Sequence, residues 1–244
     1  MGKESVNYDA SHFIGKNEEK LYNKVWIWNG MVIERKLNVV ALENTCIRFV
    51  QNFTSRGWIN LMKFKAESVL TLCQEFMANI NYNPKIKKGK EKLCSCVRGK
   101  KLKVTLDTFA EIFEIPREDN PECEFSDVGM LDLAMVSQEL LLEGDEWDGE
   151  VQCSKTCLKD KYLVLFLFSC HSFLPLKCTL SMNTARARLL WAIGMGKTID
   201  LPHMMFLSLC AAHMASNKSG SVPFMGFLTE LFKRKWNLQP LRYH

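Results

Sequence analysis

The chain has 244 residues, of which 47% are hydrophobic and 24% are charged, and its formal net charge is +5. It is long enough to bury a full core as one large domain or two small ones. The longest apolar run, residues 162–168, is about half of the roughly 20 residues that a membrane-spanning helix needs. Residues 1–20 contain no apolar segment of the kind found in secretory signals. These features exclude a membrane protein and a secreted one, and we expect a cytoplasmic location, a nuclear location or both.

Two hairpins and several helices are predicted in the first half of the chain. Asn29-Gly30 lies between β-prone runs and predicts a hairpin over residues 24–34. Helical spacing of apolar residues follows over residues 39–53 and again over 61–80. Gly99 and Lys100 separate residues 93–98 from 101–105 and predict a second hairpin, and a short helix carrying Phe109 and Phe113 comes after it.

The second half is predicted to be almost entirely helical, with helices over residues 127–142, 158–173, 182–193, 201–215 and 223–236. Strands do not alternate with helices, which argues against a doubly wound sheet. The predicted fold class is therefore mainly α with two small β-hairpins (α+β) around a helical core. We predict a polar segment over residues 1–23, a subdomain over 24–142, an acidic linker over 143–157, a helical subdomain over 158–238 and a tail over 239–244, with a single compact domain as the alternative.

Charge is distributed unevenly along the middle of the chain. Residues 85–103 contain nine basic side chains and one acidic side chain, Glu91, whereas residues 111–150 contain fourteen acidic side chains and one basic side chain, Arg117. A basic hairpin can follow a phosphate backbone, although a solvated lysine-rich loop explains the same pattern. The candidate nucleic-acid contacts are Lys85, Lys87, Lys88, Lys90, Arg98, Lys100, Lys101 and Lys103.

Two further groups of basic residues are candidate contacts for a partner or a phosphate. Arg186 and Arg188 lie in an otherwise apolar helical pattern, and because they are two residues apart they cannot share one helix face. We expect one of them to pair internally and the other to contact a partner or remain solvated. Lys233, Arg234 and Lys235 end the last predicted helix.

No cofactor or metal site is predicted. The ten cysteines are scattered through apolar helical patterns and lack the paired Cys-x-x-Cys spacing of a structural zinc site. The segment Gly194-Met195-Gly196-Lys197-Thr198 ends like a phosphate-binding loop, but Trp191 stands where that loop needs its first glycine. A helical pattern also precedes the segment, where a phosphate-binding loop follows a strand. We expect a turn between two helices at this segment and no enzymatic activity in the chain.

Several short motifs occur in a fixed order over roughly residues 44–238. They are Ser55-Arg56-Gly57-Trp58, residues 74–80, Val97-Arg98-Gly99-Lys100, residues 112–116, residues 186–193, residues 196–200 and Val222-Pro223-Phe224. In this order they resemble a plant transposon protein domain that occurs in plant retrotransposon reading frames and in host genes derived from them. The resemblance implies a transposon origin and a general similarity to plant mobile domains. It brings no catalytic residues to these positions.

Two functions from different classes remain open. The first is a non-catalytic interaction protein that binds another protein, favoured because no convincing active site is present. The second is a nucleic-acid-binding module, binding DNA or RNA through the basic residues of 85–103 and 233–235. A nucleotide-binding enzyme is a distant third hypothesis. The sequence does not predict the oligomeric state.

Overall fold

The fold is mainly α-helical with two small antiparallel sheets, which confirms the predicted fold class. One sheet contains the predicted hairpin at residues 93–105, and the other pairs residues 153–154 with 181–182 and is not predicted from the sequence. A computed structural model describes residues 8–30, 47–86, 89–123, 132–147, 149, 152–174, 181–215 and 221–236. The chain divides into two compact units that are each discontinuous in sequence. Unit 1 comprises Met1–Glu34, Ala66–Ile112 and Phe206–His244, and unit 2 comprises Arg35–Lys65 and Phe113–Met205. The subdomain bounds predicted above remain predictions.

The helices and strands follow one another in an order close to the predicted one. The first half contains α1 (Lys16–Lys24), a 3₁₀ turn (Trp26–Trp28), α2 (Ile47–Ser55), α3 (Ile59–Lys63), α4 (Leu70–Ala78), β1 (Asn81–Tyr82), β2 (Lys92–Val97), β3 (Lys100–Thr105) and α5 (Leu106–Phe113). The second half contains α6 (Leu133–Leu140), β4 (Cys153–Ser154), a 3₁₀ turn (Lys155–Cys157), α7 (Asp160–His171), β5 (Ser181–Met182), α8 (Thr184–Gly194), α9 (Leu201–Met214) and α10 (Met225–Trp236).

In unit 1, the second predicted hairpin is confirmed as the antiparallel pair of β2 and β3, with β1 on the other side of β2. Alternation along the strands turns Leu93 and Val104 to one face, where both are fully buried. Ser95 lies on the same face and donates a hydrogen bond to the Phe76 carbonyl of α4 at 2.7 Å. The opposite face of the sheet carries exposed lysines.

Aromatic side chains fill much of the core of unit 1. Phe109 of α5 stacks on Phe227 of α10, with ring centres 3.9 Å apart and planes within 8° of parallel. Phe224 meets Phe109 edge-on, with ring centres 5.6 Å apart. All three rings are fully buried. Contacts of this kind fix α10 against α5, and so they also fix where the basic end of α10 lies.

Three polar residues of α4 and its end hold other segments of unit 1 in place. Gln74 donates a hydrogen bond to the Trp26 carbonyl at 2.8 Å, and Asn79 donates one to the Cys96 carbonyl at 2.8 Å. The Glu75 carboxylate accepts a hydrogen bond from the Arg98 backbone N–H at 2.6 Å and lies 3.1 Å from the His12 Nδ1 atom. Buried polar groups that are satisfied in this way specify one arrangement of neighbouring segments. The polar residues of the 74–80 motif therefore have structural roles.

In unit 2, a second aromatic cluster packs α2 against α7. Phe53 of α2 meets Phe168 of α7 edge-on, with ring centres 5.5 Å apart, and Trp58 meets Phe53 in the same way at 5.4 Å. The Tyr162 hydroxyl of α7 donates a hydrogen bond to the Glu139 carboxylate at 2.6 Å. Burial raises the pKa of Tyr162, and the hydrogen bond to Glu139 raises it further.

Two predictions about secondary structure are wrong. The first strand of the hairpin predicted over residues 24–34 is instead the end of α1 and the 3₁₀ turn, where Trp26 is buried; residues 31–34 lie outside the described part of the chain. The helix predicted over residues 61–80 is two helices, because the chain becomes extended at Phe64 and again at Val69. In the described part of the chain, every helix is too short or too polar to cross a lipid bilayer.

Candidate functional site

The Gly-Met-Gly-Lys-Thr segment forms the turn that ends α8, as the sequence predicts. The Lys197 N–H donates to the Ala192 carbonyl at 2.9 Å and the Gly196 N–H donates to the Ile193 carbonyl at 3.2 Å. Gly196 has a φ of +75°. This pair of hydrogen bonds with a left-handed glycine is the Schellman motif, a common way to end a helix. The backbone N–H groups that a phosphate-binding loop would aim at a phosphate are here used to close a helix.

A carboxylate of the protein itself occupies the remaining donors of this turn. Glu122 accepts a hydrogen bond from the Thr198 backbone N–H at 3.0 Å, and its other oxygen lies 3.1 Å from the Lys197 ammonium. The Thr198 backbone hydrogen bond, together with the Lys197 side chain, holds the pKa of Glu122 below its ordinary value. Lys197 therefore has a carboxylate partner within unit 2, and the Thr198 N–H has a hydrogen-bond acceptor.

Two arginines, Arg56 and Arg117, bind groups at the two ends of the segment that joins α8 to α9. Arg56 donates to the Lys197 carbonyl at 2.7 Å and to the Asn52 side chain at 2.9 Å, and its burial lowers its pKa. Arg117 donates hydrogen bonds to the Asp200 carboxylate from Nε at 3.0 Å and from Nη2 at 2.8 Å. A pocket of about 400 Å³ lies between these arginines, with Ser55, Trp58, Pro116 and Thr198 among its walls. The guanidinium groups face helix ends and a carboxylate, so the pocket is not a strongly cationic one.

Two of the candidate cations of the hairpin, Lys101 and Lys103, lie on one exposed face of the sheet. Lys101 and Lys103 of β3 project from the outer face of the sheet, opposite Cys96 and Cys94 respectively, and Lys92 of β2 projects from the same face. Within the described residues, these three lysines form no ion pair with a carboxylate. Cys94 is exposed among them.

The end of α10 meets the start of β3. The Lys100 ammonium lies 5.6 Å from the ring centre of Trp236, the last residue of α10. Trp236 also stacks on Phe232, with ring centres 5.2 Å apart. The basic residues Lys233, Arg234 and Lys235 occupy the last turn of this helix, where the helix dipole favours positive charge. Two basic segments more than 120 residues apart in sequence are thus adjacent in unit 1.

Other predicted cations have different surroundings. Arg98 lies 3.5 Å from the buried Glu75 carboxylate, and Arg234 pairs with Glu230 at 3.3 Å and donates to the Glu111 carbonyl. Lys85 and Lys90 are exposed, whereas Lys87 and Lys88 lie outside the described residues. The lysines of β2, β3 and α10 therefore contribute more available charge than the arginines do.

The two arginines of α8 differ in burial. Arg186 is buried, with Nη1 3.2 Å from the Cys170 sulfur and its guanidinium 5.4 Å from the Phe166 ring centre. Arg188 is half-buried, and its Nε and Nη1 atoms have no hydrogen-bond partner in the described part of the chain. Both arginines belong to unit 2, whereas β3 and α10 belong to unit 1.

The cysteines do not form a metal centre among the described residues, where no three His, Cys, Asp or Glu side chains are grouped to hold an ion. Burial raises the pKa of Cys210 to about 12 and that of Cys153 to about 11. Thiols of this kind are poor nucleophiles at neutral pH.

Sequence reasoning identified the lysines but missed two residues that define these sites. Trp236 follows directly after Lys233-Arg234-Lys235, and this adjacency is the signal that could have linked an aromatic ring to the basic segments. Glu122 gives no local signal, because its role depends on Lys197 and Thr198, more than 70 residues later.

Comparison with known proteins gives one family. The family model "Putative plant retrotransposon-related domain" matches residues 54–235, which is about three quarters of the chain. No curated protein and no solved structure matches the chain. The matched range includes Arg56, the hairpin, Glu122 and the Gly196–Asp200 turn, and so it covers residues from both units. The chain therefore belongs to the family of plant retrotransposon-related domains.

Proposed function

We propose that this retrotransposon-derived chain is a non-catalytic binding module that binds the phosphate backbone of DNA or RNA. The contacts would come from cations of β2, β3 and the last turn of α10, which we call the basic surface. Lys92, Lys101 and Lys103 lie on the outer face of the sheet, and Lys100, Lys233 and Lys235 lie where the start of β3 meets the end of α10. All six are exposed except Lys233, which is half-buried. A cytoplasmic or nuclear location, which we expect from the sequence, would expose this surface to either nucleic acid.

The observation that carries the proposal is the contact between Lys100 and Trp236. It places the basic end of α10 beside the start of β3, so basic residues that are distant in sequence lie close together at that point. Like charges brought together repel one another and cost the folded state free energy. A polyanion relieves that repulsion and releases its own condensed counterions, which is the main source of non-specific affinity for nucleic acids.

The distribution of nearby carboxylates supports this proposal. Glu75 and Glu230 are each engaged by an arginine, Arg98 and Arg234 respectively. The lysines of the basic surface, in contrast, form no ion pairs within the described residues. Lysine ammonium groups act as point charges that suit phosphate oxygens without reading base sequence. We therefore expect binding with little sequence preference.

Fluorescence anisotropy with short labelled oligonucleotides tests this function. Single-stranded DNA, duplex DNA and RNA are titrated with the protein between about 50 and 200 mM salt, a range over which several phosphate contacts change affinity by orders of magnitude. We expect binding that weakens steeply with salt. Absence of binding to all three probes at the lowest salt would contradict the proposal.

Protein binding, which the sequence favours first, is the second candidate function. A groove in unit 2 supports it, formed by α6 and the loop that follows, with a volume of about 1060 Å³. The basic surface and the groove share no residue, so the two functions can be tested separately.

A further inference from the structure

The groove in unit 2 lies along one side of α6. Ala134, Ser137 and Leu141 are spaced three and four residues apart and form a stripe along its floor. Leu142, whose side chain is 46% exposed, and Trp147 extend this floor along the loop. Its volume of about 1060 Å³ lies at the upper end of the range of small-molecule pockets, which is about 300–1,000 Å³, and the groove is open along its length. A peptide segment fits such an open groove better than a compact small molecule does.

Hydrogen bonds hold the loop that forms the other wall. The Leu142 N–H donates to the Cys157 carbonyl at 2.8 Å, and the Asp145 N–H donates to the Leu142 carbonyl at 3.1 Å. Gly144 has a φ of +90°, which allows the tight turn between them. The wall is therefore set by the fold of unit 2 before any partner binds.

The rim of this groove is acidic. Glu143, Asp145 and Glu146 line it and are exposed. Lys159 is the one cation among the lining residues, and its ammonium donates to the Gln138 and Glu139 carbonyls at 2.8 and 2.9 Å. This lysine thereby stabilises the end of α6. Its charge is directed at the helix end, and the rim presents net negative charge.

We propose that this groove, here called the acidic groove, binds a basic peptide segment of a partner protein that carries apolar side chains. Lysine or arginine side chains of the segment would meet the rim, and apolar side chains would cover Leu142 and Trp147. Charge complementarity selects this occupant, because the rim repels nucleic acid and acidic peptides. The proposal gives the second candidate function, protein binding, a surface and a partner chemistry, and it is independent of the basic surface.

Anisotropy of a short fluorescein-labelled peptide, rich in lysine with leucine at every third or fourth position, tests the acidic groove. The rim variant Glu143→Gln/Asp145→Asn/Glu146→Gln removes three exposed charges with little change of shape. The control variant Glu18→Gln/Glu118→Gln/Asp119→Asn removes three charges outside the groove. We expect the rim variant to weaken binding by about tenfold or more, which is about 1.4 kcal/mol, and the control to retain the wild-type affinity.

Further probes decide whether the floor takes part. Leu142→Ser should weaken the same peptide, and a peptide with the leucines replaced by serine should bind less well than the parent. Equal affinity of the two peptides, or unchanged affinity in the rim variant, would overturn the proposal. Sedimentation velocity tests whether a second copy of this chain occupies the groove. A wild-type dimer that the rim variant abolishes would assign the groove to that second copy and overturn the proposal.

The failure of one proposed function can be distinguished from that of the other. The variant Lys101→Gln/Lys103→Gln changes the basic surface alone, and it should retain peptide binding while losing affinity for oligonucleotides. If it loses the peptide as well, binding does not occur in the acidic groove, and the proposal fails.

Discussion

Glu122 accepts a hydrogen bond from the backbone N–H of Thr198 at 3.0 Å. Its second oxygen lies 3.1 Å from the Lys197 ammonium. The carboxylate thus holds the two kinds of donor, a backbone N–H and a lysine, that a phosphate-binding loop offers to a nucleotide. The Gly196-Lys197-Thr198 segment therefore resembles the end of a phosphate-binding loop in sequence, but it ends a helix and binds a carboxylate of the same chain.

The first prediction concerns the pH dependence of this contact. Because the folded-state pKa of Glu122 is lowered, its stabilising contribution is present above the ordinary carboxyl pKa and is lost as the pH falls through the folded-state value. Glu122→Gln should therefore lower the melting temperature at neutral pH and have a smaller effect at acid pH. Thermal unfolding of both proteins at the two pH values measures this difference. An equal effect at both would contradict the role assigned to the carboxylate.

The second prediction concerns Arg117 and Asp200. The Asp200 side chain is 6% exposed and the Arg117 side chain 27%, and they are joined at 2.8 Å. Arg117→Met should destabilise the protein by about 2–3 kcal/mol, because it leaves a buried carboxylate without its charged partner, although the N-cap hydrogen bond from the His203 N–H remains. Urea unfolding measures the change. Lys161→Met is the matched control, since it breaks a solvent-exposed pair with Glu139 and should cost less than about 1 kcal/mol. Similar losses in both variants would contradict this account.

The third prediction reverses the usual effect of glycine in a helix. Replacing a helical glycine with alanine ordinarily stabilises by up to about 1 kcal/mol. At Gly194, however, an added Cβ would lie 2.6 Å from Cε1 of Tyr162, and this side chain is held by Glu139. Gly194→Ala should therefore destabilise by about 1–3 kcal/mol through overpacking.

Gly30→Ala is the control for that substitution, because an added Cβ there meets nothing within 4 Å. It should leave stability unchanged or raise it slightly. A stabilising effect of Gly194→Ala in chemical denaturation would contradict the close approach of α7 to α8 at Gly194.

The fourth prediction uses thiol reactivity. Cys94 is exposed on the outer face of the sheet, opposite Lys103, whereas burial raises the pKa of Cys210 to about 12. Brief treatment with iodoacetamide at mildly alkaline pH should therefore modify Cys94 well before Cys210. Peptide mass spectrometry measures both rates in one sample. If nucleic acid binds the basic surface, its addition should slow modification of Cys94 and leave the rates at other cysteines unchanged.

The sequence predicts the parts of the fold that depend on local pattern. The β2–β3 hairpin follows from Gly99 and from alternation of apolar residues with lysines, and Asp200 caps α9 where the sequence places a cap. The predicted strand around Trp26 fails because distant contacts outweigh its β propensity: Trp26 is buried, and Gln74 binds its carbonyl. Local propensity alone does not reveal such a contact.

In the candidate sites, too, local sequence predicts some features, and contacts between distant residues determine the others. Composition reveals the lysines of residues 85–103 and 233–235, but the packing of α10 on α4 and α5 is what brings Trp236 to Lys100. The acidic rim is visible in sequence as residues 143–146, where we expect a linker. The linker stays a prediction, and the structure adds that the Leu142 N–H at the start of this loop donates to the Cys157 carbonyl in the 3₁₀ turn after β4. Long-range contacts of this kind carry no sequence pattern.

Salt dependence of nucleic-acid binding tests the central claim most directly. Three lysines of the basic surface are neutralised in Lys100→Gln/Lys101→Gln/Lys103→Gln, and three lysines of unit 2 are neutralised in Lys63→Gln/Lys65→Gln/Lys155→Gln as a control of equal net charge. Affinity for a labelled oligonucleotide is measured for both variants and the wild type across salt concentrations. Each lost phosphate contact should reduce the slope of log K against log salt by about one.

We predict that the first variant loses about two to three contacts by this measure, and that the control retains the wild-type slope. A Lys233→Gln/Lys235→Gln variant should also lower the slope, because the end of α10 belongs to the same surface. Equal slopes for the wild type and the first variant, or equal losses in the first variant and the control, would contradict a binding surface formed by β3 and α10.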